Sequence, residues 1–145
     1  MAYSGTSEID VDASQEELFD IVTDLDAFPE WLKDVREVEI LGRDKAGLPT
    51  ASRMRVDASI RELEYVLEYT YDAPNRVAWT SRPGGDVKSI IGSYTFEVND
   101  DGSTRVVYEL EMEPGFPVPG FLLKRATKHI TSAALSGLKA RAEGA

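Results

Sequence analysis

The sequence predicts an α+β fold: a curved antiparallel sheet wrapped around one long C-terminal helix, with two short helices after the first strand. Three observations carry this expectation. The run Arg61 to Asp72 alternates with period two, with Leu63, Tyr65, Leu67, Tyr69 and Tyr71 on one side and Glu62, Glu64, Val66, Glu68, Thr70 and Asp72 on the other. Successive strand side chains face opposite ways, so this is a strand with one dry and one wet face. Further alternating runs follow across short turn signals, which favours antiparallel pairing between neighbours. From Phe121 to Glu143 the period becomes helical, and only that element is long enough to cover the dry side of the sheet.

Taken in order, Ser7 to Val11 is a short alternating run and the first strand. Ser14-Gln-Glu-Glu17 has the form of a capping box, and Leu18, Ile21, Val22 and Leu25 follow at helical spacing. Asp26 is placed to cap a second, shorter helix carrying Phe28, Trp31 and Leu32, with Pro29 tolerated in its first turn. Val35 to Leu41 is a looser strand, and Gly42 to Gly47 a turn. From Ser52 the dry row reads Ser52, Met54, Val56, Ala58 and Ile60, against Arg53, Arg55, Asp57, Ser59 and Arg61. In the next strand the dry residues fall at odd numbers. That change of parity predicts a reversal near Ser59 to Glu62. Asp72-Ala-Pro-Asn75, Arg82-Pro-Gly-Gly-Asp86 and Asn99-Asp-Asp-Gly-Ser103 are clearer turns. They separate strands at Arg76 to Ser81, Val87 to Val98 and Thr104 to Glu113. Ile90, Gly92, Tyr94, Phe96 and Val98, and then Val106, Tyr108, Leu110 and Met112, form the inward rows. On the long helix Leu122, Leu123, Ala126, Ile130, Ala133, Ala134, Gly137 and Leu138 share a face opposite Lys124, Arg125, Lys128, Ser132, Ser136 and Lys139.

A chain of 145 residues with 42% hydrophobic and 29% charged residues is read as one domain, residues 1–145, able to bury a substantial core. With no cysteine, disulfides, thiolate metal sites and a cysteine nucleophile are excluded. The N-terminal residues lack a basic region followed by an apolar one, and no apolar run approaches a membrane span. A cytoplasmic location without stable membrane insertion is therefore expected. The net charge of −10 argues against nucleic acid and anionic membrane surfaces as partners.

The inward rows bring together Met54, Val56, Tyr65, Leu67, Tyr69, Trp79, Tyr94, Phe96, Tyr108 and Met112, with the helix face above them. Such rows are often plain core. That is the leading reading from the residues alone; several inward phenols, each needing a hydrogen-bond partner if buried, shift the balance modestly towards the wall of a cavity, and both readings stay open. His129 is the only histidine and sits at the edge of the helix's apolar face, either at a cavity mouth or half-exposed on the surface. One histidine does not make a zinc site, and no metal is expected. Glu62, Glu64, Glu68, Glu109 and Glu111 fall on outward rows and read as a solvated face. An apolar interior with phenolic hydroxyls suits a flat or extended hydrophobic molecule carrying a few oxygens. No cofactor is called for.

Asp12 to Asp20, Asp24 to Leu32, Gly92 to Phe96, Gly102 to Val106 and Glu111 to Gly115, followed by the long helix, give the chain its resemblance to a known family. In this order they resemble the START-like, helix-grip superfamily of polyketide cyclases, Bet v 1-type proteins and lipid-binding domains, over essentially the whole length. The resemblance implies an elongated hydrophobic cavity between helix and sheet, entered near Phe28, Trp31 and the Pro114 to Gly120 loop. On the helix side it makes Leu122, Ala126, His129, Ile130 and Ala133 ligand-contacting candidates. Aromatase/cyclases of this type place a hydroxyl and an arginine on the inward row of the central strand. The matching positions here are Leu67 and Tyr69, a departure that favours holding a ligand over transforming it.

Three functions are weighed. The first is binding or transport of a small lipid, polyketide or quinone-like molecule. The second is a cyclase/dehydratase using Tyr69, Tyr65 or Tyr94 as acid and His129 as base. The third is a protein-interaction module of the chaperone-regulator kind, using Phe116, Val118 and Phe121.

Overall fold

The computed structural model describes residues 2–58 and 61–144. The elements run β1 (Tyr3–Val11), α1 (Gln15–Thr23), a single 3₁₀ turn (Leu25–Ala27), α2 (Phe28–Trp31), β2 (Val35–Arg43), β3 (Pro49–Asp57), β4 (Glu62–Asp72), β5 (Arg76–Ser81), β6 (Val87–Val98), β7 (Thr104–Pro114) and α3 (Gly120–Glu143). The strands form one seven-stranded antiparallel sheet in the order β1-β7-β6-β5-β4-β3-β2. The expected α+β architecture is the one observed. The expected reversal between β3 and β4, and inward Ile60, fall at Ser59 and Ile60, outside the described residues.

Ser14 caps α1 as its sequence implies: its Oγ accepts from the Glu17 amide at 3.1 Å. The reciprocal contact differs from the usual capping box, because the hydroxyl donates to Glu17 Oε1 at 3.2 Å. Leu18, Phe19 and Val22 are buried beneath it. Asp26 does not cap the second helix. It lies inside the 3₁₀ turn, and Ala27 holds the N-cap position of α2. With only a four-residue helix to start, the chain enters it directly from the preceding turn, and Pro29 fills a first-turn position that needs no amide donor.

β1 begins four residues earlier than its alternation shows. Tyr3 pairs with Met112 and Val11 with Thr104, so the long partner strand β7 extends it through Ser4, Gly5 and Thr6. The outer face of the sheet is an ion-pair lattice. Arg53 contacts Glu39 at 2.5 Å, and Arg55 contacts Glu37 at 3.1 Å and Glu62 at 3.4 Å. Val98, expected on the inward row, is 66% exposed at the end of β6.

α3 buries two flanks, and the sequence shows only one. Besides Leu123, Ala126, Ala134 and Leu138, it buries Thr127, Thr131 and Leu135. The threonines face Gly5 of β1, where an added Cβ would lie 3.8 Å from each, in ordinary contact. Their hydroxyls donate back to Leu123 O and Thr127 O, each at 2.8 Å, so neither brings an unsatisfied polar group into the core. The helix thus leans on β1 and β7. It leaves the inner faces of β3, β4, β5 and β6 to be covered by large side chains or by nothing.

Candidate ligand-binding cavity

That offset creates a cavity of about 390 Å³ between the inner face of the sheet, α2 and the middle of α3. Of the residues expected from the sequence, Phe28, Trp31, Met54, Val56, Tyr65, Leu67, Tyr69, Trp79, Tyr94, Tyr108, Met112, His129, Ile130 and Ala133 border it. Phe96, Leu122 and Ala126 do not. Phe96 lies one pleat beyond Tyr94, 2% exposed and stacked on that ring at 6.1 Å. Leu122 and Ala126 precede the stretch from His129 to Gly137, where α3 passes over the space. No described residue of the Pro114 to Gly120 loop borders it either. Leu63, Val77, Ile90 and Leu110 also line the wall, and their inward parity was readable; Val35 opens β2, while Lys33 and Asp34 follow α2 and carry no periodic signal.

Aromatic rings dominate one wall. Trp79 lies 5.6 Å from Tyr94 and 5.8 Å from Tyr108, and Tyr94 meets Tyr108 edge-on at 4.8 Å. The hydroxyls divide into two groups. Tyr69 shares a 2.8 Å hydrogen bond with buried Ser52, and Tyr71 donates to Pro49 O at 2.5 Å. Tyr65, Tyr94 and Tyr108 border the cavity and have no hydroxyl partner among the described residues. Burial pushes the Tyr69 phenol up to about 12, against a lowering by the Ser52 hydrogen bond. Burial raises Tyr65, Tyr94 and Tyr108 as well, reinforced at Tyr65 and Tyr108 by neighbouring phenols. At neutral pH these groups are protonated and able to donate.

Trp31 adds another donor. Its Nε1 is buried with no hydrogen-bond partner among the described residues. Its ring meets Phe28 edge-on at 5.4 Å and packs on α3 where Gly137 lacks a side chain: a Cβ there would lie 3.0 Å from Trp31 O and 3.3 Å from Trp31 Cε3. Gly137 therefore admits α2 rather than simply enlarging the cavity.

The charged lining residues are Lys33, Asp34 and His129, all reached by solvent, which marks the mouth. His129 Nε2 and Asp34 Oδ2 are 2.7 Å apart, with side chains 55% and 33% exposed. Both surface and mouth readings of His129 thus describe one position. Leu67 is buried on the wall, and Tyr69 is held by Ser52. Among the described residues no three of His, Asp and Glu are grouped to hold a metal ion. No helix among them is long and apolar enough to cross a membrane.

The family model described as polyketide cyclase / dehydrase and lipid transport matches residues 3–143. The fold is similar to that of a START superfamily protein from Mycobacterium smegmatis, at 25% identity and TM-score 0.85, covering 99% of this chain and 97% of that one. A protein from Thermus thermophilus is 26% identical with TM-score 0.83, covering 98% of each chain. The Zhui aromatase/cyclase from Streptomyces sp. R1128 has TM-score 0.83 at 14% identity over 99% of this chain and 94% of its own, a likeness of fold alone.

Proposed function

Because the chain belongs to the polyketide cyclase / dehydrase and lipid transport family, we propose that its cavity holds a neutral hydrophobic molecule bearing carbonyl or similar oxygens, of lipid, polyketide or quinone type, without transforming it. The observation that carries this reading is the set of unpartnered donors, buried Trp31 Nε1 and the cavity-lining Tyr65, Tyr94 and Tyr108, around a space with no charged group inside its mouth. A neutral acceptor placed there gains about 0.5–1.5 kcal/mol per hydrogen bond, and one that reaches Trp31 Nε1 also satisfies a buried donor that is otherwise costly. A carboxylate or phosphate pushed inside loses several kcal/mol of hydration and meets no cation. The volume lies within the range of about 300–1,000 Å³ usual for small-molecule sites.

Thermal unfolding with neutral and anionic ligands of matched size tests this. Neutral carbonyl-bearing ligands are expected to raise the melting temperature, because binding only the folded state stabilises it by about 2.7 kcal/mol at a hundredfold excess over Kd. Equal protection by the anionic set would sink the neutral-ligand reading.

A second reading is a cyclase/dehydratase, with a cavity phenol such as Tyr69 as acid and His129 as base. The 2.7 Å pair between His129 and Asp34 favours it, since a carboxylate orients an imidazole for proton transfer. Against it stands the position of that pair on the solvent-exposed mouth.

A further inference from the structure

Of the cations without a carboxylate partner among the described residues, three lie together on α3, while Lys45, Arg76 and Arg105 are scattered over the sheet and its turns. Arg36, Arg53, Arg55, Arg82, Lys88 and Lys139 each lie within 4.0 Å of a carboxylate. Lys124, Arg125 and Lys128 on α3 are exposed and pair with no carboxylate among the described residues. They share one stripe of the helix with Phe121, at i, i+3, i+4 and i+7. Phe121 is 67% exposed, the most exposed of the large hydrophobics among the described residues, and it follows the apolar loop of Phe116 to Pro119.

Helix stability does not account for this placement. The first turn of α3 has no acidic residue and its N-cap, Pro119, gives no side-chain hydrogen bond. Cations near a helix N-terminus face the positive end of its dipole, which disfavours them. The C-terminal end of the stripe adjoins the cavity mouth, because His129 lies one turn beyond Arg125 and borders the opening, as does Lys33, also exposed and without a carboxylate partner among the described residues. The acids of α2 and the segment after it already have partners: Asp34 lies 2.7 Å from His129 Nε2, and Glu30 pairs with Arg141 at 3.1 Å.

We propose that this edge docks the cavity mouth reversibly on an anionic lipid surface, with Phe121 entering the interfacial layer and Lys124, Arg125 and Lys128 meeting the headgroups. The net charge of −10 does not forbid this. Charges further apart than the Debye length, about 8 Å at physiological salt, are largely screened, and the glutamates of the outer sheet face lie across the body of the protein. A basic stripe with a neighbouring aromatic is the composition that holds an amphipathic helix at a lipid interface.

The test is co-sedimentation of the full chain with vesicles of phosphatidylcholine alone and of equal parts phosphatidylcholine and phosphatidylglycerol. The protein is expected to sediment with the anionic vesicles at low salt, to be released by high salt, and to ignore the neutral ones. Combining Lys124→Glu, Arg125→Glu and Lys128→Glu should weaken partition at least about a hundredfold. Phe121→Ser should weaken it less, and Lys45→Glu on the β2–β3 turn should leave it unchanged. Cavity occupancy by a soluble hydrophobic probe should be the same in all variants, which separates this proposal from the ligand reading. Absence of binding to anionic vesicles, or full binding by the triple variant, overturns the proposal. So does a stripe whose reversal disrupts only a complex with an acidic protein.

Discussion

Trp79 lies flat across the bare backbone of Gly92, its register partner on the neighbouring strand. A Cβ at Gly92 would fall 2.5 Å from both Cε2 and Nε1 of the indole, inside any permissible contact. The glycine thus sets how far the indole reaches toward Tyr94 and Tyr108, and so shapes the aromatic wall of the cavity.

Gly92→Ala should therefore destabilise the protein by about 1–3 kcal/mol through overpacking. For a domain of this size that is a fall of about 2–4 °C in Tm per kcal/mol. Trp79→Phe in the same background should recover part of the loss, with a coupling of about 1 kcal/mol or more in a double-mutant cycle. Purely additive effects would show that the ring does not rest on the glycine.

Ser52 and Tyr69 form a closed pair on neighbouring strands, Ser52 being fully buried. Removing one partner strands the other, so Ser52→Ala and Tyr69→Phe should each cost about 1–3 kcal/mol, while the double substitution should cost less than their sum. Chemical denaturation measures all three, and a double variant at the full sum contradicts the pairing.

The buried phenols also predict alkaline instability. In the unfolded chain they ionise near about 10. In the folded chain they hold the proton longer, Tyr69 to about 12 and the other cavity tyrosines shifted upward as well. Below about 10 both states are protonated and stability is indifferent to these groups. As pH rises from there through about 12 the folded state binds more protons than the unfolded one, so stability falls. The urea midpoint should drop steeply above about pH 10, and Tyr94→Phe should flatten the drop. A midpoint level to about pH 11 would contradict this.

Local periodicity carried much of this picture, and the reason it stopped is physical. β5 and β6 lie where the alternation places them, and Tyr65 and Tyr69 of β4 border the cavity, while Tyr71 on the same row packs against Phe19. A strand records in its own sequence which side is dry. α3 is different: Thr127 and Thr131 hide their hydroxyls in their own helix, so their burial against β1 leaves no apolar trace. The same holds for contacts between distant segments. His129 meets Asp34 across 95 positions, and Gly137 admits Trp31 only because α2 happens to dock there. Asp26 had the right chemistry for a cap but the wrong backbone, since the chain was already turning.

Gly137→Val should act through that docking point. It adds a branched side chain 3.0 Å from Trp31 O, so α2 must move away from α3 and widen the mouth. A stability loss of about 1–3 kcal/mol is expected, with a red shift of tryptophan fluorescence and faster ligand release. Unchanged release kinetics would mean that α2 does not bound the entrance.

His129→Gln separates holding from catalysis. The pair with Asp34 is largely exposed, so its loss should change stability by no more than about 1 kcal/mol. A binding protein should keep its ligand affinity, whereas a cyclase should lose turnover on its substrate while remaining folded.

Fluorescence titration with Nile red, a neutral planar carbonyl compound, tests the central claim most directly. The wild type should show saturable one-to-one binding with strong emission, while Ala133→Trp, which fills the cavity from α3, should remain folded and show none. Failure of the wild type to bind saturably, or equal binding by both proteins, would contradict an internal site for a neutral hydrophobic ligand.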